Sequence, residues 1–311
     1  MLDEFDYLYD AATAAAIGRR DLQEDAIATH FPAGSGLGYI VLADGMGGHA
    51  AGDIASKIVV QEFFEELQIY ADDLSYLERN IGVILRYAMD RANERVARHT
   101  ANWPDQRGMG ATLVAPLLVR NHLYWISVGD SPLYLLRGNR MSRLNQEHSV
   151  ASRLEQLVLD GAITQLQADQ DPDRYCVTSV LLGEVVPEID CRDCPLDLVD
   201  GDILIVATDG LLFLDEARIA GLVYGCRDRP SAEISARLLQ ELRNTDDPDQ
   251  DNVALCVVKV RQNQGDGQQP IRFAASDPAR QIVVPRRTTV QLQVRRKNGR
   301  VSRHFSSDSE S

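Results

Sequence analysis

The chain contains the run Tyr39-Ile40-Val41-Leu42-Ala43, which leads straight into Asp44-Gly45-Met46-Gly47-Gly48. Short runs that are rich in β-branched residues and bounded by Gly and Asp predict buried strands. Three other apolar runs begin or end at an aspartate in the same way. They are Leu123–Val128 before Gly129-Asp130, Ile203–Thr208 before Asp209, and Val253–Val258 after Asp251-Asn252. Four buried strands, each with an acid at one end, therefore form the framework of the predicted fold.

These placements predict that several carboxylates meet at one edge of the core. Clustered carboxylates repel one another and are costly to remove from water, so such a cluster needs cations. Sites made only of oxygen donors suit hard divalent ions such as magnesium and manganese. The pattern alone therefore predicts a site for more than one metal ion.

The composition is that of an ordinary globular protein with a sizeable core. The 311 residues are 44% hydrophobic and 25% charged. The net charge of −14 is uneven, because residues 261–311 carry ten Lys and Arg against four Asp and Glu. The first 260 residues therefore hold a net charge of −20. An acidic body is a poor partner for nucleic acid or an anionic membrane, and most of this charge is explained as a solvated surface.

No feature of the sequence predicts a membrane span or an export signal. No stretch approaches 18 consecutive apolar residues, and Met1–Asp10 is acidic without a basic leader. Five cysteines, an odd number, argue against a disulfide scaffold, and we expect a cytoplasmic protein. Cys191 and Cys194 form a C-x-x-C pair without a second ligand pair, which favours structural thiols over a zinc site.

Helical periodicity and blocks of strand occupy separate parts of the chain. We predict amphipathic helices over Asp53–Gln68, Ser75–His99, Ser149–Gly161 and Ser231–Arg243, and a short helix or loop over Thr164–Asp173. Ser149 can cap its helix and Gly161 can end it, and Ser231 repeats the capped pattern. Strands over Gly110–Val119 and His122–Val128 flank a tight connection and predict a hairpin. Strands grouped apart from helices favour an α+β fold with antiparallel sheets.

The composition changes after Val260. Gln262–Pro270 is typical of a linker, Gln281–Val284 and Thr288–Val294 have β character, and Arg295–Ser311 is basic and then rich in serine. We therefore predict one large domain over residues 1–260. Residues 261–311 are predicted to be a linker and a basic C-terminal segment, either β-containing or disordered.

The glycine-rich turn after Asp44 admits more than one interpretation. Gly45-x-Gly47-x-x-Ala50 fits a dinucleotide-binding fingerprint, but that motif expects an acid about twenty residues later, at the end of a second strand. The acids found there, Glu62, Glu65 and Glu66, fall in a helical stretch instead. A P-loop would need Gly-Lys-Ser/Thr, which is missing. The remaining interpretation is a metal-binding aspartate whose glycines let backbone carbonyls approach the ion.

A charged run, Arg19-Arg20-Asp21-Leu22-Gln23-Glu24-Asp25, precedes the first core strand by a short loop. Alone, such a run is typical of a solvated surface. Beside a metal site, an arginine could bind a phosphate bidentately while the acids face the metals.

Taken in order, these elements resemble the metal-dependent protein phosphatases of the protein phosphatase 2C type, in their bacterial form. The resemblance runs from about Ile17 to Val260. It rests on Gly18-Arg19-Arg20 with Glu24-Asp25, Asp44-Gly-Met-Gly-Gly48, Gly108-Met-Gly-Ala-Thr-Leu113, Val128-Gly-Asp-Ser131, Glu147-His-Ser149, Leu181-Leu-Gly183, Ala207-Thr-Asp-Gly-Leu211 and Asp251-Asn252. Agreement of this many motifs in order is very improbable by chance.

The resemblance implies a four-layer αββα sandwich of two antiparallel β-sheets flanked by helices, with residues 1–260 as the phosphatase catalytic domain. It implies two Mn²⁺ or Mg²⁺ ions and a weaker third ion at one edge. By this resemblance, Asp44 would bridge two ions, Gly45 would offer its carbonyl oxygen to one of them, and Asp209 and Asp251 would bind the same pair. Glu24 and Asp25 would lie close by and act partly through water, and Asp130 would join Asp209 at the third ion. Arg20 would bind phosphate, and Asn252 would orient the aspartates. Ala151–Thr178 would correspond to the flap beside the site.

The implied reaction is hydrolysis of phosphoserine or phosphothreonine. Two ions close together can lower the pKa of a shared water, which attacks phosphorus in line while the ions and Arg20 neutralise developing charge. No protein nucleophile is needed. Eukaryotic relatives often have a histidine two residues after the bridging aspartate, where this chain has Met46. A metal-bound water, or less favourably His49, would then protonate the leaving oxygen.

Two positions depart from the family pattern. Pro132 follows Ser131 where the family usually has arginine, and Phe213 stands where it often has aspartate, with Asp215 nearby but out of register. Both concern the third ion and the flap. They leave open a rival hypothesis, a catalytically weak pseudophosphatase that acts as a regulatory metal-binding or interaction module. The retained Arg20 and aspartates favour the enzyme.

The predicted partners are phosphorylated protein substrates, modified by a cytoplasmic Ser/Thr kinase. A further option is a phosphatase domain specialised as a switch for one protein partner. In that case the basic C-terminal segment would dock a partner or inhibit the acidic body through opposite charge. A disordered tail without a role is the alternative.

Overall fold

The computed structural model describes residues 7–32, 35–47, 51–262, 296–297 and 300–301. Contacts divide the chain into two units, Met1–Gln264 and Gly265–Ser311. The predicted strands over 281–284 and 288–294, the linker after residue 262 and His49 lie outside the described residues.

The described elements include the predicted core strands and helices. They also include strands over Tyr7–Ala16, Ala26–His30 and Asp190–Asp197 and a helix over Glu216–Gly225, which the sequence analysis did not predict. The strands are β1 Tyr7–Ala16, β2 Ala26–His30, β3 Leu37–Ala43, β4 Gly45–Met46, β5 Gly110–Ala111, β6 Leu113–Val119, β7 His122–Val128, β8 Leu133–Arg137, β9 Arg140–Arg143, β10 Asp190–Asp197, β11 Ile203–Ala207, β12 Val253–Gln262, β13 Arg296–Lys297 and β14 Arg300–Val301. The helices are α1 Gly52–Ile69, α2 Leu74–Arg79, α3 Ile81–Asn102, α4 Val150–Leu159, α5 Gln165–Asp169, α6 Glu216–Gly225 and α7 Ser231–Thr245, with 3₁₀ turns at Pro104–Gln106 and Asp209–Phe213.

Two five-stranded sheets form the centre of the first unit. Their strand orders are β1-β12-β11-β8-β9 and β10-β7-β6-β3-β2, and all pairings within them are antiparallel. A two-stranded ladder of β4 and β5 lies beside them, and in the second unit β13 pairs with β14. The predicted α+β class with antiparallel sheets is confirmed.

The core has three layers of apolar contact, which explains the four-layer arrangement. One cluster lies between α1, α3 and the β10–β2 sheet, with Phe63, Leu85 and Tyr39 at its centre. A second joins α6 and α7 to the β1–β9 sheet through Ile219, Leu238 and others. The third fills the space between the two sheets. The sequence therefore buries both faces of both sheets, as the near-continuous apolar strands require.

The four acid-flanked strands converge on one edge of this sandwich. Strands β3, β7 and β11 end there, and β12 begins there, because Ala207 is paired with Leu255 and Leu113 with Val128. Every residue of β3 and β11 is buried. The prediction of buried strands that deliver carboxylates to one edge is confirmed.

Local differences from the prediction have local causes. The helix predicted over Ser75–His99 is two helices, α2 and α3, separated at Asn80, whose amide side chain donates to the Tyr76 carbonyl oxygen at 2.8 Å. The carboxamide competes with the backbone for helical hydrogen bonds and breaks the helix there. Ser231 does not cap α7, because its hydroxyl and N–H groups both donate to Asp10 instead. The Ser149 cap of α4 is confirmed.

Within the described ranges, none of the helices combines the length and apolar character that a membrane crossing requires. All five cysteines are free thiols, Cys191 and Cys194 included.

Candidate functional site

The acidic edge gathers six predicted acids from separate parts of the chain. Asp44 follows β3, Asp130 lies two residues after β7, Asp209 lies two residues after β11 and Asp251 lies two residues before β12, while Glu24 and Asp25 end the loop between β1 and β2. Every acid of the set either shifts the pKa of another member or has its own pKa shifted by one, so the structure brings the set together.

Asp44 and Asp209 form the centre of the cluster. Burial raises the pKa of Asp44 well above its usual range, and the charges of Asp25 and Asp209 raise it further. Burial also raises the pKa of Asp209, while a hydrogen bond from Asp44 opposes that rise. The pKa values of the two carboxyl groups are therefore linked, because each responds to the other.

Two further aspartates are held in the same low-dielectric environment. Burial raises the pKa of Asp25 to about 8, against a hydrogen bond from Thr208 Oγ1 at 2.8 Å and with the Asp209 charge adding to the rise. Burial, again with the Asp209 charge, raises the pKa of Asp130 to about 7. The edge is thus a concentration of carboxyl groups for which negative charge is unfavourable.

Asn252 joins the N-terminal loop to the start of β12. Its backbone N–H donates to Asp251 Oδ1 at 2.7 Å, its Oδ1 accepts from the Glu24 N–H at 2.7 Å, and its Nδ2 donates to the Ile17 carbonyl oxygen at 2.8 Å. One buried amide thus fixes Glu24 relative to Asp251, although more than 220 residues of sequence separate them. The predicted orienting role of Asn252 stays a prediction, and this geometry is compatible with it.

The loop around Gly45 is packed too closely for any other residue. A Cβ there would lie 2.1 Å from the Gly52 carbonyl oxygen and 2.7 Å from that of Glu24. The Gly45 N–H donates to the Glu24 carbonyl oxygen at 3.2 Å. Burial and the charge of Asp53 raise the pKa of Glu24, which a hydrogen bond from the Gly52 backbone opposes. The glycine brings the Asp44 loop, the Glu24 loop and the start of α1 into direct contact.

Arg20 lies at the open side of the cluster. Its Nη2 is 2.6 Å from Asp251 Oδ2, and its side chain is 57% exposed. A guanidinium that touches the carboxylates and still faces solvent is accessible to an anionic ligand. Its role in binding phosphate is not established by this contact and stays a prediction.

The positions that depart from the family pattern have structural roles. Ser131 is buried, and the Pro132 carbonyl oxygen accepts from the Ala207 N–H at 3.1 Å. Asp215 is the N-cap of α6, because its Oδ1 accepts from the Arg218 N–H at 2.7 Å. Asp215 is therefore occupied in capping, and Phe213, 37% exposed, ends the 3₁₀ turn that starts at Asp209.

The predicted flap is attached to the Asp130 loop. The His148 N–H donates to the Gly129 carbonyl oxygen at 3.0 Å, and the Thr178 N–H donates to that of His148 at 2.9 Å. The Gly129 N–H in turn donates to His148 Nδ1 at 3.1 Å. Both ends of the segment with α4 and α5 are therefore anchored beside the acids.

The donor set suits divalent cations. In the described part of the chain, no group of three or more His, Cys, Asp or Glu side chains is arranged to hold a metal ion directly. Protonation and cation binding are alternative ways to neutralise such a cluster, and both use the same oxygens. Carboxylate oxygens with a closely approaching backbone at Gly45 fit Mg²⁺ or Mn²⁺ better than softer ions.

Two supporting hydroxyl groups were missed at the sequence level. Thr208, fully buried, donates to Asp25 and accepts from the Ala254 N–H at 3.0 Å. Thr112 accepts from the Asp44 N–H at 3.0 Å. Both lie inside motifs that carried the family resemblance, so a signal was present. The sequence held no information on which distant acid each hydroxyl would meet.

Comparisons with known proteins agree with this arrangement. The family model described as protein phosphatase 2C matches residues 14–246, well over half of the chain. The serine/threonine protein phosphatase PstP of Mycobacterium tuberculosis is 29% identical over 254 residues, which is 81% of this chain and 46% of PstP. The serine/threonine phosphatase stp of Listeria welshimeri is 31% identical over 172 residues, or 55% of this chain and 66% of stp. The chain thus spans about half to two thirds of the length of these curated relatives.

Solved structures give the same result. The crystal structure of M. tuberculosis PstP has a TM-score of 0.67 and 28% identity, covering 82% of this chain and all of that one. A second structure, of the PstP catalytic domain in complex with two manganese ions, has a TM-score of 0.63 at the same identity and coverage. The fold prediction and the family resemblance are confirmed: this chain belongs to the protein phosphatase 2C family.

Proposed function

We propose that this protein is a metal-dependent serine/threonine protein phosphatase that hydrolyses phosphoserine and phosphothreonine in protein substrates. The observation that carries the proposal is the convergence of Asp44, Asp209 and Asp251 with the half-exposed Arg20 at one edge of the sandwich. The family membership and the names of the relatives support the reaction class.

The carboxylates are proposed to hold two divalent ions, as in the manganese complex of PstP. Asp44 would contact both ions, Asp209 and Asp251 would contact one or both, and Glu24 and Asp25 would act mainly through water. Asp130, whose pKa is raised partly by the Asp209 charge, would share a third ion with Asp209. Bound ions would supply a water of lowered pKa as the nucleophile and would neutralise charge on the phosphoryl oxygens.

The chain itself would orient and neutralise the substrate. Arg20 would release Asp251 to the ions and donate to the phosphoryl oxygens, since its guanidinium can turn from one anion to another without leaving the edge. Asn252 would keep Asp251 and Glu24 in register while this happens. No side-chain nucleophile is assigned, because the arrangement places acids and an arginine at the edge.

The direct test is release of phosphate from a phosphothreonine peptide with Mn²⁺, compared with the same assay in EDTA and with Asp209→Asn. We expect release that requires the ion and that the variant lacks. Absence of release by a wild-type protein that binds Mn²⁺ calorimetrically would overturn the proposal in favour of the pseudophosphatase.

Cytoplasmic location, an opposing Ser/Thr kinase and a protein partner for the C-terminal segment are finer parts of the same proposal. The charge difference between the basic residues 261–311 and the acidic remainder supports docking or inhibition by the tail. Removal of residues 264–311 tests this directly. A changed rate on a phosphoprotein substrate supports it, whereas identical rates with and without the tail would end the docking hypothesis.

A further inference from the structure

Residues 129–132, which we call the crossing loop, form one of the loops that join the two sheets at the acidic edge. It leaves β7 in one sheet, carries Asp130 and enters β8 in the other. The Ala207 N–H donates to the Pro132 carbonyl oxygen at 3.1 Å, which attaches the crossing loop to the end of β11. This backbone bond fixes Asp130 relative to Asp209. Asp44 follows β3, in the same sheet as β7, so the β3-β6-β7 ladder sets the backbone of Asp130 relative to Asp44 up to Val128. Beyond Val128, a side-chain contact adds a further link.

That contact is made by Thr112, whose side chain lies between Asp44 and the crossing loop. The Thr112 N–H donates to the Asp44 carbonyl oxygen at 2.9 Å, and the Asp44 N–H donates to Thr112 Oγ1 at 3.0 Å. The same Oγ1 lies 3.0 Å from Ser131 Oγ. Both Thr112 and Ser131 are only 1% exposed. A chain of hydrogen bonds therefore runs from the backbone of Asp44 to the residue next to Asp130.

The methyl group of Thr112 adds a second contact with the crossing loop. Gly129 has φ +104°, and a Cβ there would lie 2.6 Å from Thr112 Cγ2. On its other side the loop is held by Asn145, whose Nδ2 donates to the Ser131 carbonyl oxygen at 3.0 Å and whose Oδ1 accepts from the Leu133 N–H at 2.8 Å. Among these contacts, the Thr112–Ser131 hydroxyl pair is the side-chain hydrogen bond that connects the loop to the residue bonded to Asp44.

We propose that Thr112 and Ser131 are positioning residues that set the separation of Asp130 from Asp44, so that both carboxylates face the same group of ions. The inference rests on the proposed function. A buried hydroxyl pair is a stiff link, because neither oxygen has water as an alternative partner. Loss of either hydroxyl weakens ion binding. It leaves turnover at saturating ion close to wild type, since side chains this deeply buried do not reach the substrate.

The test uses the full chain with Thr112→Val, Ser131→Ala and the double variant. Calorimetric titration with Mn²⁺ reports ion binding without turnover, and the kcat and half-saturating Mn²⁺ concentration are measured on a phosphothreonine peptide. We expect each single variant to bind Mn²⁺ about fivefold more weakly, the scale of one lost neutral hydrogen bond. The double variant should be no weaker than Thr112→Val, because that change alone removes the link to Ser131 together with the bond from the Asp44 N–H. Thr112→Ser keeps the hydroxyl and should restore near wild-type binding.

Ser127→Ala is the matched control. Its hydroxyl is also 1% exposed and bonds to Asn145 Nδ2 at 3.2 Å, so its loss should lower the Tm without changing Mn²⁺ affinity. Wild-type Mn²⁺ binding in Thr112→Val and Ser131→Ala, or losses that add in the double variant, would overturn the inference while leaving the phosphatase assignment intact. A wild-type protein that neither binds Mn²⁺ nor releases phosphate would overturn the proposed function and this inference with it.

Discussion

Strand β11 has an aspartate just outside each end, and the surroundings of these two aspartates differ. Asp202, before the strand, is 1% exposed and fully matched: Arg137 Nε and Nη2 donate to its two oxygens at 2.9 and 2.6 Å, and the Val199 N–H donates at 2.9 Å. Asp209, after the strand, meets other carboxyl groups, and burial raises its pKa. At one end of the strand protein donors satisfy the acid, and at the other end several buried acids lie together and their pKa values are raised.

Strand β7 repeats the contrast. At its start, hydrogen bonds from His122 and Tyr124 and the charge of Arg120 outweigh burial and lower the pKa of Glu78. At its end, the pKa of Asp130 is raised to about 7 by burial and by the Asp209 charge. The same fold can therefore supply hydrogen-bond donors and positive charge to an ionised acid that has only a structural role. Among the described residues, the carboxyl groups with raised pKa values are those of the acidic edge. This difference is the physical argument for a metal site there.

The largest expected effect comes from Asp209→Asn. The change removes a carboxylate that would contact both the central pair and the third ion, and we expect phosphate release to fall by about 100-fold or more. The fold should survive, since the substitution relieves repulsion among buried acids. Circular dichroism and the Tm in EDTA check the fold, and phosphopeptide turnover checks the activity. A rate near that of the wild-type protein would refute the assignment.

Asp202→Asn makes the corresponding change at the start of β11, where protein donors satisfy the acid. It weakens a charge-assisted pair with Arg137, and we expect a loss of about 1–3 kcal/mol in the free energy of unfolding. Phosphate release per folded molecule should not change, because Asp202 lies at the far end of β11 from the cluster. Urea unfolding measures the stability. A variant as stable as wild type that has lost turnover would contradict the division between the two ends.

Arg20→Ala probes the cation that borders the cluster. We expect the KM for a phosphothreonine peptide to rise about tenfold through the loss of a charge-assisted hydrogen bond to phosphate, with calorimetric Mn²⁺ binding retained. Arg19→Ala is a suitable control, because Arg19 pairs with Asp246 and not with the predicted metal ligands. Equal kinetics for Arg20→Ala and wild type would show that Arg20 does not hold the phosphate.

The sequence was sufficient for the parts of this comparison that depend on local pattern. Apolar runs that end at Asp44, Asp209 and their counterparts predicted both the buried strands and the edge where the acids meet. The sequence did not predict which distant side chains form hydrogen bonds with each other. Thr208 bonds to Asp25 across 183 positions, and Thr112 bonds to Ser131 across 19, so neither contact has a local signature. Likewise, the break between α2 and α3 depends on one amide side chain in a stretch whose apolar periodicity continues through it.

The smallest expected effect is on how stability depends on pH. Burial raises the pKa of Asp25 to about 8 and that of Asp130 to about 7 when no ion is bound, against an ordinary value of 3.8. Between about pH 4 and pH 8 these two groups therefore bind fewer protons in the unfolded chain than in the folded one, so their contribution to the free energy of unfolding falls as pH rises through that window. We expect the Tm in EDTA to decline over this range and Mn²⁺ to remove the decline, because the ion competes with protons for the same oxygens.

Asp25→Asn should reduce the decline of Tm with rising pH in EDTA. The asparagine amide oxygen can still accept a hydrogen bond from Thr208, but the titrating carboxyl group is absent. Glu78 contributes a dependence of stability on pH that has the opposite sign. Its pKa lies below the ordinary 4.5, so its contribution is present above that pH and is lost only at lower pH. Burial lowers the pKa values of His30 and His148, so these two groups make stability rise with pH in the same range. The acidic edge is therefore tested by the difference between wild type and Asp25→Asn in EDTA. If the two proteins show the same dependence of Tm on pH, Asp25 is matched by protein donors, and the contrast between the two ends of the strands fails.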